Sequence, residues 1–235
     1  MNLKESVIVV TGGSAGIGLA TAKMLAQKGA TVIITARNLD RLEAIAKHNG
    51  LVAIPCDVTQ KAEVEHLYMT IRDAYGRLDA VINNAGYGYF APLAEIEVDQ
   101  FNAVFATNVT GAMMMAQGAL PLFKKQGYGN IINISSTAGL RGFARGSAYS
   151  ATKFALKSMT ECWREELRKD NIRVMLINPS EVQTDFAVTA GFDPRPYNPT
   201  KLQSEDIAHA IVAALEMEDR GFITELTVFA TNPKD

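Results

Sequence analysis

The chain has 235 residues, 48% of them hydrophobic and 20% charged, with a formal net charge of −2. That length suits one large domain with a substantial core, and the charge supplies no global positive field to attract nucleic acid or anionic lipid. No apolar run approaches the length of a membrane span, and MNLKESVIVVTGG lacks the longer apolar region and cleavage site of a secretory signal, so a cytoplasmic protein is expected. Cys56 and Cys162 stand far apart in no CxxC and read as buried free thiols. His48, His66 and His209 are scattered through polar helical segments, so no metal site is expected.

Short apolar runs alternate with amphipathic helices. SVIVVT (6–11) is continuously apolar, as a strand buried on both faces should be. A helix follows over 16–28, then the strand ATVIITA (30–36) and a helix through Leu42 and Ile45. LVAIPCDV (51–58) is the third strand, followed by a helix through Val64, Leu67 and Ile71. LDAVINNAG (78–86) is the fourth, and a long helix is expected over 98–124, bent or broken near Pro121. NIINISS (130–136), a helix to about Lys169, IRVMLINP (172–179), a helix over 204–216 and ITELTVFA (223–230) complete the series. This alternation predicts an α/β fold: a Rossmann-like, doubly wound, predominantly parallel seven-stranded sheet with helices on both faces, in one domain spanning 1–235. The one long irregular stretch, 185–203, lies beyond the carboxyl end of the sixth strand and reads as a substrate loop.

TGGSAGIG (11–18) joins the first strand to the first helix. Its glycines permit a tight turn and close approach of backbone to a phosphate, toward which the helix directs free amides and a positive dipole end. In SAYSATKFALKS (147–158), Tyr149 and Lys153 are four residues apart and so share one helix face. An isolated pair of this kind is ordinarily a half-buried phenol beside a solvated amine; its company in this chain argues otherwise.

Gly12, Gly16 and Gly18 match TGxxxGxG, Asn83-Asn84-Ala85-Gly86 matches NNAG, Asn108 lies in the following helix, Ser136 ends the fifth strand, and Tyr149 and Lys153 match YxxxK at 149 − 136 = 13 residues from the serine. Taken in order over nearly the whole chain, these motifs resemble the short-chain dehydrogenase/reductase family. The resemblance implies an NADP-dependent oxidoreductase that interconverts a carbonyl and a secondary alcohol, ketone, aldehyde or hydroxy acid. Tyr149 would be acid in reduction and base in oxidation, its pKa lowered by the Lys153 ammonium. Ser136 would stabilise the substrate oxygen, Lys153 would also bind the nicotinamide ribose, and Asn108 would order a water that relays protons through Lys153. Ser135 should point to the other face of its strand. The dinucleotide would lie on Gly12, Ser14, Gly16, Ile17 and Gly18. Asp57 and Val58 would meet its adenine, Asn84, Ala85 and Gly86 its adenosine ribose, and Pro179, Val182 and Thr184 its carboxamide; Ser180 replaces the family's usual glycine.

NAD-preferring relatives carry an acid at the end of the second strand; here Ala36 stands there, and Arg37 next to it can pair with a 2′-phosphate, so NADP(H) is preferred and NAD(H) remains usable. Tyr87, Tyr89, Phe143 and Phe186 are candidates to line an apolar pocket, and Arg141 and Arg145 read as solvated. The tail FITELTVFATNPKD weakens an assignment as a 3-oxoacyl-[acyl-carrier-protein] reductase, which stays open as an alternative, as does a non-catalytic dinucleotide sensor. A longer sugar-nucleotide epimerase, with its TGxxGxxG turn, fits less well. Met113, Met114, Met115, Phe154, Met159 and Trp163 on two long helices, with the resemblance, imply a homodimer or homotetramer.

Overall fold

A computed structural model describes residues 1–194 and 196–234; Arg195, inside the expected substrate loop, and Asp235 lie outside the described residues. Seven strands form one sheet: β1 (Val7–Thr11), β2 (Thr31–Thr35), β3 (Val52–Ala53), β4 (Ala80–Asn83), β5 (Gly129–Ile134), β6 (Ile172–Pro179) and β7 (Glu225–Val228). Their order is β3-β2-β1-β4-β5-β6-β7, and every pairing is parallel. The order reverses between β1 and β4, which opens a crevice at their carboxyl ends.

The continuous apolar runs are explained by helices on both faces. Ile8 and Val10 point into one core, with Leu25 of α1 (Gly16–Gln27) and Ile207, Ile211 and Leu215 of α8 (Ser204–Glu216). Val7 and Val9 point into the other, with Leu67 and Ile71 of α3 (Lys61–Tyr75) and Met115 and Phe123 of α5 (Ala112–Gln126). Each such side chain contributes about 1.5–3 kcal/mol by leaving water, so truncating Ile8 to Ala would cost about 2–5 kcal/mol. The remaining helices are α2 (Leu39–Asn49), α4 (Val98–Phe105), α6 (Ser147–Leu167) and the single turn α7 (Phe186–Thr189).

Several local expectations are corrected. The expected helix over 98–124 is two α-helices joined by a π-helical turn at Ala106–Gly111, a distortion that local periodicity does not reveal. Pro121 does not break α5, which continues to Gln126. Pro121 and Gln117, whose carbonyl loses the helical bond, both lie on the exposed face, where water can replace that bond. The third strand pairs over only two residues, although Ile54 and Cys56 still donate to the Ile34 and Ala36 carbonyls. Cys56 is buried but Cys162 is exposed on α6. Of the six apolar residues read as an oligomer surface, Met115 is fully buried core, Phe154 is exposed and the other four are half-buried.

Candidate active site

The crevice is built by two turns that lock together. Gly12 has φ +64°, and a Cβ on Gly18 would stand 2.4 Å from the Gly12 carbonyl oxygen and 2.5 Å from Asn84 Nδ2. A side chain at either position would push the turn off the Asn84–Gly86 segment. Thr11 holds that segment in place: its Oγ1 accepts from the backbone N–H of Asn84 (3.0 Å) and Ala85 (2.9 Å) and donates to the Ile82 carbonyl (3.3 Å). Asn84 Nδ2 donates back to the carbonyls of Thr11 (2.9 Å) and Gly12 (3.3 Å). No side chain caps α1, so the amides of Gly16, Ile17 and Gly18 remain available to an anion at this helix start.

Thr184, after β6, faces the same turn: a Cβ on Gly16 would lie 3.4 Å from its Cγ2. Its Oγ1 accepts from Phe186 N–H (3.1 Å), which opens α7. Val182, paired with Leu202 in an isolated bridge, holds the start of that segment beside the sheet, and Pro179 ends β6. On the other side, Ala36 is half-buried and Arg37 exposed at the end of β2. Arg41, in the first turn of α2, reaches over to the Ser14 carbonyl at 3.5 Å. The Asp57 carboxylate accepts from Thr59 N–H (2.9 Å) and Oγ1 (2.8 Å), while Val58 packs against Gly111 of the π-helical turn.

Tyr149 and Lys153 sit on the inward face of α6, 8% and 6% exposed. The Lys153 ammonium lies 5.6 Å from the centre of the Tyr149 ring and donates to the Ile134 carbonyl at 2.9 Å. Ser136 hydrogen-bonds the Tyr149 hydroxyl, and its own Oγ accepts from Ala138 N–H at 3.1 Å. Ser135 points the other way, donating to the Lys153 carbonyl at 3.2 Å, as strand alternation requires. Asn108 lies in the π-helical turn: Nδ2 donates to the Tyr87 carbonyl (2.9 Å) and to Thr152 Oγ1 (3.1 Å), and Oδ1 accepts from Tyr87 N–H (3.1 Å). A Cβ on Gly86 would stand 3.0 Å from Asn108 Oδ1 and 3.8 Å from Lys153 Nζ, so these three groups meet at one point.

The electrostatics correct one expectation. Burial pushes the Tyr149 hydroxyl up to about 12, opposed by the Ser136 hydrogen bond. Burial also brings the Lys153 amine down to about 8. The expected lowering of the Tyr149 pKa is therefore not found: the lost hydration of the phenolate dominates, and the phenol stays protonated at neutral pH.

A match to the short chain dehydrogenase family spans residues 6–193. This chain is a short-chain dehydrogenase. An uncharacterized oxidoreductase of Staphylococcus aureus (strain USA300) is 36% identical over 232 residues, covering 96% of this chain and 97% of the relative. Among solved structures, an alcohol dehydrogenase from the archaeon Thermococcus sibiricus, complexed with 5-hydroxy-NADP, is 27% identical with a TM-score of 0.87, covering 99% of this chain and 100% of its own. A metagenomic short-chain oxidoreductase in complex with NADP is 30% identical with a TM-score of 0.85, at 99% and 100% coverage. The protein is therefore an oxidoreductase acting on CH–OH donors.

Within this short-chain dehydrogenase, the residues singled out in the sequence gather at the carboxyl edge of the sheet. Phe143 and Phe186 join a cluster of rings at Tyr149, whereas Tyr89 Oη accepts from Glu97 N–H (2.9 Å) and Tyr87 clamps Asn108 through its backbone. Sequence reasoning missed Thr11, Arg41, Phe90 and Phe192. Thr11 carries a readable signal, a hydroxyl immediately before the glycine turn; the others come together only through the fold. His48, His66 and His209 are all exposed, and no three potential ligands converge among the described residues. A concavity of about 430 Å³ lined by Arg77, Asp79, Lys125 and Tyr128 lies at the opposite edge, where Arg77 and Asp79 already pair at 2.6 Å.

Proposed function

We propose that this enzyme uses NADP(H) to interconvert a carbonyl and a secondary alcohol, with Tyr149 as the proton donor in reduction and acceptor in oxidation. The observation that carries the reading is the buried Tyr149 hydroxyl, held by Ser136 and flanked by the Lys153 ammonium. The nicotinamide, when bound, supplies or accepts the hydride. Gly12, Ser14, Gly16, Ile17 and Gly18 would receive the diphosphate, a fit supported by the close approach of two glycines and the uncapped start of α1. Asp57 and Val58 would meet the adenine, Asn84, Ala85 and Gly86 its ribose, and Pro179, Val182 and Thr184 the carboxamide. Arg37, exposed at the end of β2 with no acid beside it, would pair with the 2′-phosphate.

In reduction, Tyr149 gives its proton to the substrate oxygen while Ser136 hydrogen-bonds that oxygen. Lys153 holds the nicotinamide ribose, stabilises the phenolate as it forms and helps return the proton. Asn108 keeps one lone pair on Oδ1 beside Lys153, which suits a relay role. The complex T. sibiricus forms with 5-hydroxy-NADP supports the choice of dinucleotide. We place the enzyme in the cytoplasm as a homodimer or homotetramer, with Phe154 exposed on α6 as the supporting feature.

The decisive experiment follows NADPH and NADH oxidation over a panel of carbonyl compounds, with wild type and Tyr149→Phe. Turnover by wild type and a loss of about a thousandfold or more in the variant, at unchanged dinucleotide affinity, is expected. Dinucleotide binding without turnover on any carbonyl or alcohol would mark a sensor instead.

A further inference from the structure

The ring of Tyr149 sits in a cluster of phenylalanine rings. Phe90 lies 5.3 Å from Tyr149, 5.5 Å from Phe192 and 6.0 Å from Phe143, between ring centres, and Phe186 lies 5.4 Å from Tyr149 on another side. These rings come from the segment after β4, the approach to α6 and the segment after β6, so the fold assembles them at the catalytic group. Three are seated on two glycines. A Cβ on Gly88 would stand 2.4 Å from the Phe90 ring and 2.9 Å from that of Phe186, and one on Gly146 would stand 2.5 Å from Phe143. The interplanar angles run from 40° to 59°, the tilted arrangement in which one ring edge meets another ring face. Phe143 and Phe192 are about half exposed, so the cluster runs from solvent to the buried hydroxyl.

Among the described residues, no ion pair involves Lys153, whose ammonium meets the Ile134 carbonyl and the Tyr149 ring. Arg141 and Arg145, on the approach to α6, are both exposed, and Arg195, three residues after Phe192, lies outside the described residues. Among the described residues, Lys153 is the cation buried at Tyr149, and it is committed to the Ile134 carbonyl and, on the reading above, to the cofactor ribose. A substrate carboxylate brought here would lose its hydration without gaining a partner. A flat aromatic ring would instead extend the series of tilted contacts.

We propose that the substrate is an uncharged carbonyl compound bearing an aromatic ring, an aryl ketone or aryl aldehyde or the matching benzylic alcohol, whose ring packs against the Phe90–Phe192 side of the cluster. The proposal rests on Tyr149 as proton donor. It deepens that reading by giving the rings a specificity role: Phe90 and Phe192 position the substrate and do no chemistry.

The test compares acetophenone and benzaldehyde with acetoacetate and pyruvate, using NADPH and wild type, Phe90→Ala and Phe192→Ala. Phe192 is a half-exposed surface residue, so its variant keeps the test open if Phe90→Ala fails to fold. The aryl compounds should exceed the anionic ones in kcat/KM by at least about tenfold. Each variant should raise KM for the aryl compounds by about two- to tenfold while kcat changes less. Calorimetry should show 1-phenylethanol binding to the NADPH-loaded protein, where it cannot react, and weakening by the same factor in each variant. Tyr149-dependent turnover of the anionic acids at equal or higher kcat/KM, or an aryl preference that both variants leave intact, would overturn the proposal alone. Absence of turnover on every compound, with the dinucleotide bound, would remove the proton-donor reading and this proposal with it.

Discussion

The two edges of the sheet carry equally polar clusters but treat them differently. At the amino edge, the buried Arg173 donates to Asn130 Oδ1 (2.7 Å) and to the carbonyls of Leu215 (3.2 Å), Met217 (3.1 Å) and Gly221 (3.3 Å). Asp79 accepts from Val7 N–H (2.7 Å) and pairs with Arg77, and Asn130 Nδ2 donates to the Asp79 carbonyl (2.9 Å). That network is closed on itself and ties β1, β4, β5 and β6 to the end of α8. At the carboxyl edge Lys153 has one carbonyl, Tyr149 has one hydroxyl, and the start of α1 has no side-chain cap. Saturated buried polar groups stabilise a fold, while under-satisfied ones cost stability and are kept where a ligand can complete them. On the proposed function, one edge is architecture and the other carries the chemistry.

Breaking the closed edge should have the largest effect on stability. Arg173→Met leaves Asn130 Oδ1 and the Gly221 carbonyl without this donor, while the Leu215 and Met217 carbonyls keep the N-terminal ammonium of Met1. The expected cost is about 2–4 kcal/mol from buried acceptors left unpaired, or roughly a 10 °C fall in the thermal midpoint for a chain of this length. The kcat/KM per folded molecule should stay within about twofold. A matching loss of activity in the folded fraction would mean that the amino edge shapes the site directly.

At the open edge the same kind of substitution should have the opposite sign. The folded value of Lys153, about 8, lies below its ordinary 10.5, so between those pH values the folded chain binds fewer protons than the unfolded one. Stability from this group therefore rises with pH over about 8–10.5, and its cost is fully present below 8. That cost is about 3 kcal/mol, offset in part by the bond to Ile134. Lys153→Met should unfold at the same or a higher temperature than wild type at pH 7 while losing turnover, and its advantage should shrink as pH rises toward 9.5. Tyr149 does not confuse this window. Its value is raised from 10 to about 12, so its contribution is intact below pH 10 and is lost only above it. A variant advantage that grows with pH would contradict a buried ammonium at position 153.

The same contrast explains what the sequence discloses. The strands, the glycine turn, Asn84–Gly86, Ser136, Tyr149 and Lys153 are legible because their spacing follows strand and helix periods or a fixed turn. Phe90 and Phe192 are not, because they are brought together by segments about a hundred residues apart in the chain, and loop aromatics carry no period. The proton affinity of Tyr149 departs from the sequence expectation for a related reason. The spacing gives its distance to Lys153 along a helix, but the burial that dominates depends on everything packed around both groups. The π-helical turn holding Asn108 likewise has apolar residues at ordinary helical spacing.

Cofactor choice sharpens the comparison with smaller effects. Arg37 is exposed and Ala36 leaves no carboxylate beside it, so a single charge-assisted contact of about 1.5–3 kcal/mol should favour NADPH over NADH by on the order of ten- to a hundredfold in kcat/KM. Ala36→Asp with Arg37→Leu should reverse that preference. Equal values for the two dinucleotides in wild type would remove Arg37 from this role.

Arg41 should have the smallest effect. No basic residue stands at Ser14 or Ala15 in the glycine turn, where relatives that prefer NADP often carry one, yet Arg41 approaches the turn from α2 through the Ser14 carbonyl. Its guanidinium is exposed and that contact is long, so it should add only about 0.5–1 kcal/mol to phosphate binding. Arg41→Ala is therefore expected to raise KM for NADPH about two- to fivefold and to leave NADH unchanged. The pattern separates two roles: a phosphate partner acts on NADPH alone, whereas a brace for the turn acts on both dinucleotides equally. An equal loss for both would place Arg41 with the closed networks of the amino edge, as a structural tie that happens to stand at the open one.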